Sequence, residues 1–430
     1  MTYRIRDMTA ALSIEEYQQR VSQILATTQL PVETIPLIKT GRSAEVGGSA
    51  GVGDRLLAGE IRAQYSQPLW DNSQMDGFAV RAAETPACLP VAGTVAAGHT
   101  PAPLPPGTCV RIMTGAPLPE GADAVVPVEN TPEASFTSET VTLPRVVPGE
   151  FVRQAGTDIQ AGHILLSDGT RLTPVRLGAL TAQGITTVTV RARPQVAIIT
   201  SGDEIQTPGK ALEPGQVYDT NRIILYHFFH SLGAEIRAHY QVSDDPDTLG
   251  TLLNERIAPL RPDVIISSGG ISAGAFEVVK DTFASAADSA MTFGSIAMQP
   301  GGPQGYGMYA GIPVICMPGN PVSTWVTCEV ILRAACATAW GTPAPHWEVA
   351  YLAEAVEPLR HKERILRGQL HKGGKTTDEQ LSGELRGVIP FTGTGSHLLA
   401  QAAMADAVIR IPASSAASMP AGTPVKVHHV

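Results

Sequence analysis

The clearest arrangement for holding an anion is Asp263–Lys280, DVIISSGGISAGAFEVVK. Val264, Ile265 and Ile266 form a short β-branched run suited to a buried strand of a parallel sheet. Ser267, Ser268, Gly269 and Gly270 then supply small side chains and freedom in φ for a tight turn. Ile271, Ser272, Ala273 and Gly274 extend the loop, and a helix is predicted to start within Phe276–Lys280. A strand, a Gly/Ser-rich turn and a helix start leave bare N–H groups facing a ligand, with the helix dipole favouring negative charge. The same string also reads as an ordinary strand-to-helix turn, since one glycine-rich turn is a weak signal. A second polar loop lies in WDNSQMDGFAV, residues 70–80. Asp71, Asn72, Ser73 and Asp76 there can hold a metal or hydrogen-bond a polar ligand, and they equally form Asx turns.

Such loops need a scaffold, and the chain order supplies one. From Gln195 the pattern alternates: strand 196–200, loop SGDEIQTPG, helix Arg222–Leu232, strand Glu235–Tyr240, helix Asp245–Ala258, then the strand DVIISS. That alternation predicts a doubly wound parallel sheet. Two of its strands end in Ser201-Gly202-Asp203-Glu204 and in the loop from Ser268, on the carboxyl edge where open α/β sheets bind ligands. Pro300-Gly301 and Pro318-Gly319-Asn320, with Ser323, are two further turns after apolar strands. The second leads into an apolar helix, Thr324 to Ala339.

Outside this domain, Ser13 and Glu16 predict a capped helix with Tyr17, Val21, Ile24 and Leu25 at helical spacing. Thr40–Gly53, rich in Gly and Ser, predicts a flexible surface insertion. Gly93–Glu129 reads as short strands between Gly and Pro turns, a small β domain. Past Pro343, short strands at Trp347–Ala353, Arg364–His371, Ala407–Ile411 and Thr423–Val430 predict a C-terminal β domain. The expected fold class is therefore multidomain α/β plus β. A central doubly wound α/β domain (194–341) accompanies an elongated N-terminal region (1–70 with 148–193), an inserted β domain (71–147) and the C-terminal β domain (342–430).

Composition narrows the function classes. A net charge of −9 and 5% aromatic residues argue against a nucleic-acid binder. Cys88, Cys109, Cys316, Cys328 and Cys336 are scattered and odd in number, which fits neither a zinc site nor a disulfide framework and predicts a reduced, cytoplasmic setting. Cys328 and Cys336 read as core packing. No signal peptide and no 18-residue apolar run are evident, so no membrane span is expected.

Taken together, NSQMDGFAV (72–80), RIMTGAPLPEGADAVVPVE (111–129), TSGDE (200–204), YDTN (218–221), SGGISAGAFEVVK (268–280), PGNPVS (318–323) and GSHLLAQAAMADAVIRIP (395–412) resemble the molybdopterin molybdenumtransferase family, whose fold is shared with the E domain of gephyrin. The resemblance runs over nearly the whole chain. It implies a homodimer that takes adenylylated molybdopterin, releases AMP and places molybdate on the dithiolene, assisted by magnesium. It also implies later handover of the cofactor to molybdoenzymes, a pterin nucleotide held by the α/β domain, and an inserted domain closing the cleft against the partner subunit.

Carried residue by residue, the resemblance gives catalytic roles to Asp76, Thr114, Asp244 and Glu277; Glu204, in the turn after a strand, and Lys280, three residues beyond Glu277, join them as catalytic candidates by position. Breaking a pyrophosphate-type bond needs charge neutralisation and a positioned water, which a carboxylate-held metal supplies. Asp203 and Glu204, with Asp244, are the candidate metal ligands; the first two also read as a solvated turn, and Asp244 as the helix cap in SDDPD. Many relatives carry PGKP with a preceding lysine, where this chain has Gln299 before Pro300-Gly301-Gly302-Pro303, and Ala275 stands where an acid is common. Lys280, Arg111 or a residue the motifs do not place is then expected to compensate. Two alternatives stay open: an enzyme that adenylylates molybdopterin, and a non-catalytic carrier or scaffold of the same fold.

Overall fold

The computed structural model describes residues 6–8, 10–37, 51–271, 278–286, 288–372, 386–391, 393 and 395–430. They form two compact units, one of 34–190 and one of 1–33 with 191–430.

In the 34–190 unit a five-stranded sheet runs in the order Ala124–Pro127, Gly77–Val80, Cys109–Ile112, Ala87–Val95, Thr140–Leu143. Alternation sends Phe78, Val80 and Val126 to one core and Ala79, Val125 and Ile112 to another. With both faces covered, every residue of Gly77–Val80 is buried. A separate core gathers Leu57, Leu172, Leu180, Val188 and Val190 around the helix Pro174–Ala182. Val52 belongs to that core at 2% exposure, so the surface insertion predicted through Gly53 ends earlier; its stretch Thr40–Ala50 lies outside the described residues. An isolated valine among glycines has no periodicity to announce its burial.

The other unit carries a seven-stranded sheet ordered Arg6–Asp7, Ser289–Ser295, Pro303–Tyr309, Ile312–Met317, Val264–Ser268, Gln195–Ser201, Glu235–Val242. The last four are parallel, as expected. Pro303–Tyr309 runs antiparallel to both neighbours, where only a turn was expected. Its glycines explain the miss: a Cβ at Gly305 would stand 2.5 Å from the Phe293 ring, so close strand pairing here requires residues that carry no β signal. Alternation again builds two cores. Val196, Ile198, Val264, Ile266 and Ile315 face the helices Ile14–Leu25 and Thr220–Ser231 and the helical run 321–340. Ala197, Ile199, Ile265 and Val314 face the helices Pro246–Leu252 and Val278–Ser285.

Helix Ile14–Leu25 begins with the predicted capping box: Glu16 N donates to Ser13 Oγ at 3.2 Å and Ser13 N to Glu16 Oε2 at 2.8 Å. The helix after SDDPD is capped by Asp245, not Asp244; Asp245 Oδ2 accepts from Thr248 N at 3.1 Å.

The C-terminal strands close on themselves. Glu363–Lys372, Arg386–Pro390, Trp347–Leu352, Pro424–His429 and Ala407–Ile411 pair in sequence, and the last pairs back with the first. This closed barrel, filled by Leu352, Leu366, Val388, Ile409 and Val427, removes free edges. Met298–Gln299 joins it by pairing with Glu363–Arg364. All five cysteines are unpaired thiols, and Cys328 and Cys336 are buried. Among the described residues no helix is long and apolar enough to cross a membrane.

Candidate functional site

Four loops gather at the carboxyl edge of the parallel strands. Gly202 N donates to Val242 O at 3.2 Å, and Gly269 N to Met317 O at 3.1 Å, which stitches neighbouring strand ends together. Gly269 has φ +101°, and a Cβ there would stand 2.7 Å from both Ser201 O and Ser201 Oγ. Gly319 approaches Gly269 so closely that its own Cβ would lie 3.2 Å from Gly269 Cα. The glycines thus let the SGDE, SGG and PGN loops meet backbone to backbone, the close approach an anion cradle needs. Ser201 Oγ, Ser267 Oγ and Asn221 Oδ1 are buried there without a partner among the described residues.

Acidic groups crowd the same edge. Asp244 N donates to Asp203 Oδ1 at 3.1 Å, bringing the two acidic loops together. The Asp244 carboxyl is held above the usual carboxylate range, first by burial and then by the charges of Asp203 and Glu204. Among the described residues no three His, Cys, Asp or Glu side chains converge tightly enough to hold a metal ion alone. The donor chemistry still suits magnesium, which takes one or two carboxylates and completes its shell with waters and substrate phosphates.

The remaining predicted residues divide as follows. Ser268 is buried within the loop contacts, while Asn320 is exposed at the start of the helix that buries Ser323. Pro300 and Gly301 sit in the loop before the antiparallel strand, beside Thr327 of the same helical run: Gln304 Nε2 donates to Gly301 O at 2.8 Å and to Thr327 Oγ1 at 3.0 Å. Lys280 is half-buried in the first turn of Val278–Ser285. Ser272, Gly274 and Glu277 lie outside the described residues. In the 34–190 unit, Asp76 Oδ1 accepts from Thr114 N at 2.7 Å and from Thr114 Oγ1 at 2.9 Å. Arg111 donates through Nη2 to Ser138 O at 2.5 Å and so is engaged within its own domain.

Two features had no signal in the motif spacing. Thr200 Oγ1 donates to Asp219 Oδ2 at 2.7 Å and lies 3.1 Å from His239 Nε2, a buried polar cluster beneath the SGDE loop. Arg367, on the barrel strand that pairs with Met298–Gln299, is 2% exposed. Its Nη2 donates to Gly393 O at 2.9 Å and Gln401 Oε1 at 2.8 Å, while Nε and Nη1 have no partner among the described residues. Burial lowers its pKa. A strand arginine ordinarily faces solvent, so only the structure reveals it as a buried cation.

Burial also pushes the His239 pKa below its ordinary 6.5; Asp219 opposes this and Arg222 adds to it. The unfolded chain therefore takes up the proton first, and stability is lost as pH falls from 6.5 through the folded value. His239→Gln should accordingly lose less Tm than wild type between pH 7 and pH 5; equal losses in a thermal melt would remove His239 from the pH response.

Residues 12–184 match the family described as "MoeA N-terminal region (domain I and II)", and residues 197–338 match "Probable molybdopterin binding domain". A molybdopterin molybdenumtransferase 2 of Mycobacterium tuberculosis is 37% identical over 96% of this chain and 98% of its own length. The chain belongs to the molybdopterin molybdenumtransferase family. A molybdopterin molybdenumtransferase of Nostoc sp. is 33% identical over 81% of this chain and 79% of its own. A solved structure of a molybdopterin biosynthesis moea protein from Pyrococcus horikosii superposes with a TM-score of 0.74 at 28% identity, covering 98% of this chain and 99% of that one. Family membership and whole-length similarity favour a molybdenumtransferase over the adenylylating alternative.

Proposed function

We propose that this chain is an enzyme of molybdenum cofactor biosynthesis that inserts molybdate into adenylylated molybdopterin and releases AMP. The observation that carries the reading to chemistry is the carboxyl edge itself: backbone-to-backbone glycine loops meet a crowded set of carboxylates in a chain of this family. The SGDE, SGG and PGN loops cradle the anionic nucleotide with backbone N–H groups. Glu204 and Asp244, with Asp203, would hold magnesium, and the same carboxylates orient the attacking water. Magnesium, when bound, supplies charge neutralisation at the phosphates. Incubating the protein with adenylylated molybdopterin and magnesium should release AMP only once molybdate is added. Binding without AMP release would favour the carrier reading instead.

In this reading the enzyme is cytoplasmic and homodimeric and passes its product to molybdoenzymes. Asp76 and Thr114, joined by two hydrogen bonds, face the partner's α/β domain. Mixing Asp76→Ala chains with Glu204→Ala chains should restore activity, because one of the two sites in a heterodimer then keeps both residues. Demonstrated subunit exchange with no recovery would place the whole site within one chain.

Lys280 carries part of the anion binding that lysines provide in relatives with PGKP. Lys280→Ala should weaken nucleotide binding about tenfold, the worth of one charge-assisted contact. Gly302→Lys should recover part of it: a Cβ there would lie 3.2 Å from Ser295 Oγ, a contact that a small hydroxyl shift relieves. An unchanged dissociation constant in calorimetry at fixed ionic strength would leave Lys280 a surface residue.

A further inference from the structure

Asp219 and Asn221 stand at the start of the helix Thr220–Ser231 and reach into three of the site loops. Asp219, 3% exposed, caps the helix by accepting from Arg222 N at 3.0 Å, while its other oxygen accepts from Thr200 Oγ1 at 2.7 Å. The first helical turn is thereby pinned to the strand end that carries Ser201 and Gly202. Asn221, 5% exposed, then donates through Nδ2 to Ser268 Oγ at 2.9 Å and to Gly319 O at 2.6 Å. A carbonyl only accepts, so the amide nitrogen has to face Gly319, and a carboxylate cannot replace it. Ser268 Oγ in turn lies 3.2 Å from Pro318 O and 3.3 Å from Thr324 Oγ1, which itself donates to Pro318 O at 2.8 Å.

We propose that Asn221 is a positioning residue for the reaction, its amide locking the SGG and PGN loops into one cradle of fixed width. This inference rests on the proposed function for its kinetic consequence. Two glycine loops hold few side-chain contacts that could fix their separation, and a misplacement of about 1 Å costs heavily in a site built on aligned N–H groups. Asn221 supplies a buried, two-acceptor tie across the gap. It touches the loops, not the reacting atoms.

Asn221→Ala and Asn221→Asp are the variants, measured at a temperature where circular dichroism shows both folded. The KM for adenylylated molybdopterin should rise about tenfold in each, with kcat changed less than about threefold and the KM for molybdate unchanged. Asp is expected to fail like Ala, because its oxygens repel Gly319 O. Hydrogen exchange gives a readout that needs no turnover: peptides covering 264–271 and 317–320 should exchange about tenfold faster in both variants, while 223–231 keeps its protection. Wild-type exchange in both loops, or equal acceleration through the helix, overturns the positioning role. Absence of AMP release by wild type would instead overturn the proposed reaction, and exchange would still decide whether Asn221 fixes the cradle.

Discussion

Glu204→Ala and Asp244→Ala are each expected to cut AMP release about a hundredfold or more while leaving the protein folded. Neither side chain holds the scaffold. The link between their loops runs from Asp244 N to Asp203 Oδ1, and the SGDE turn is fixed by Val217 N donating to Glu204 O at 2.8 Å; both use backbone atoms that alanine keeps. Crowding makes the point sharper. Burial and the Asp203 and Glu204 charges raise the cost of ionising Asp244, so the folded state bears the repulsion that the carboxylate set creates. Asp244→Asn relieves part of it, and its Tm should equal or exceed that of wild type as turnover collapses. Such a trade of stability for function is what a charge cluster kept for chemistry predicts. Turnover near wild type in both alanine variants at saturating magnesium would end the assignment.

The sheet was legible because its signals are local. Val264-Ile265-Ile266 followed by Ser-Ser-Gly-Gly declares a buried strand and a tight turn, and the observed strand Val264–Ser268 ends where the glycines begin. The closed barrel was legible only as separate strands, and Arg386–Pro390 was missed because its short run, Arg-Gly-Val-Ile-Pro, holds a glycine and a proline that weaken a strand reading. Cap choice within SDDPD was ambiguous, since any of its acids can cap; the structure gives that task to Asp245 and leaves Asp244 to the acidic edge. Pairings between distant residues had no local trace. Asp76 and Thr114 are brought into contact across 38 residues by strand register, with Gly77 opposite Ile112. Asn221 belongs to the YDTN motif, but its task depends on Ser268 and Gly319 lying beside it in space.

Arg367 carries the other large expected effect. Gln299 and Gly302 stand where the family resemblance leads lysines to be expected, and molybdate brought out of water needs a cation. The barrel strand bearing Arg367 pairs with Met298–Gln299, and Arg367 lies three residues beyond that pairing. Its guanidinium is buried with two donor atoms unpartnered among the described residues and with no carboxylate partner there, a costly arrangement for structure alone. A planar fork of N–H donors matches a tetrahedral oxyanion better than a lysine point charge does. Arg367→Met should therefore hold or raise Tm, because an apolar chain of similar reach replaces an unpaired buried charge. The molybdate concentration needed for half-maximal AMP release should rise between about tenfold and a hundredfold, the worth of one lost charged contact. A Tm that falls by several degrees with an unchanged molybdate dependence would make Arg367 a barrel strut holding Gly393 and Gln401 in place, and nothing more.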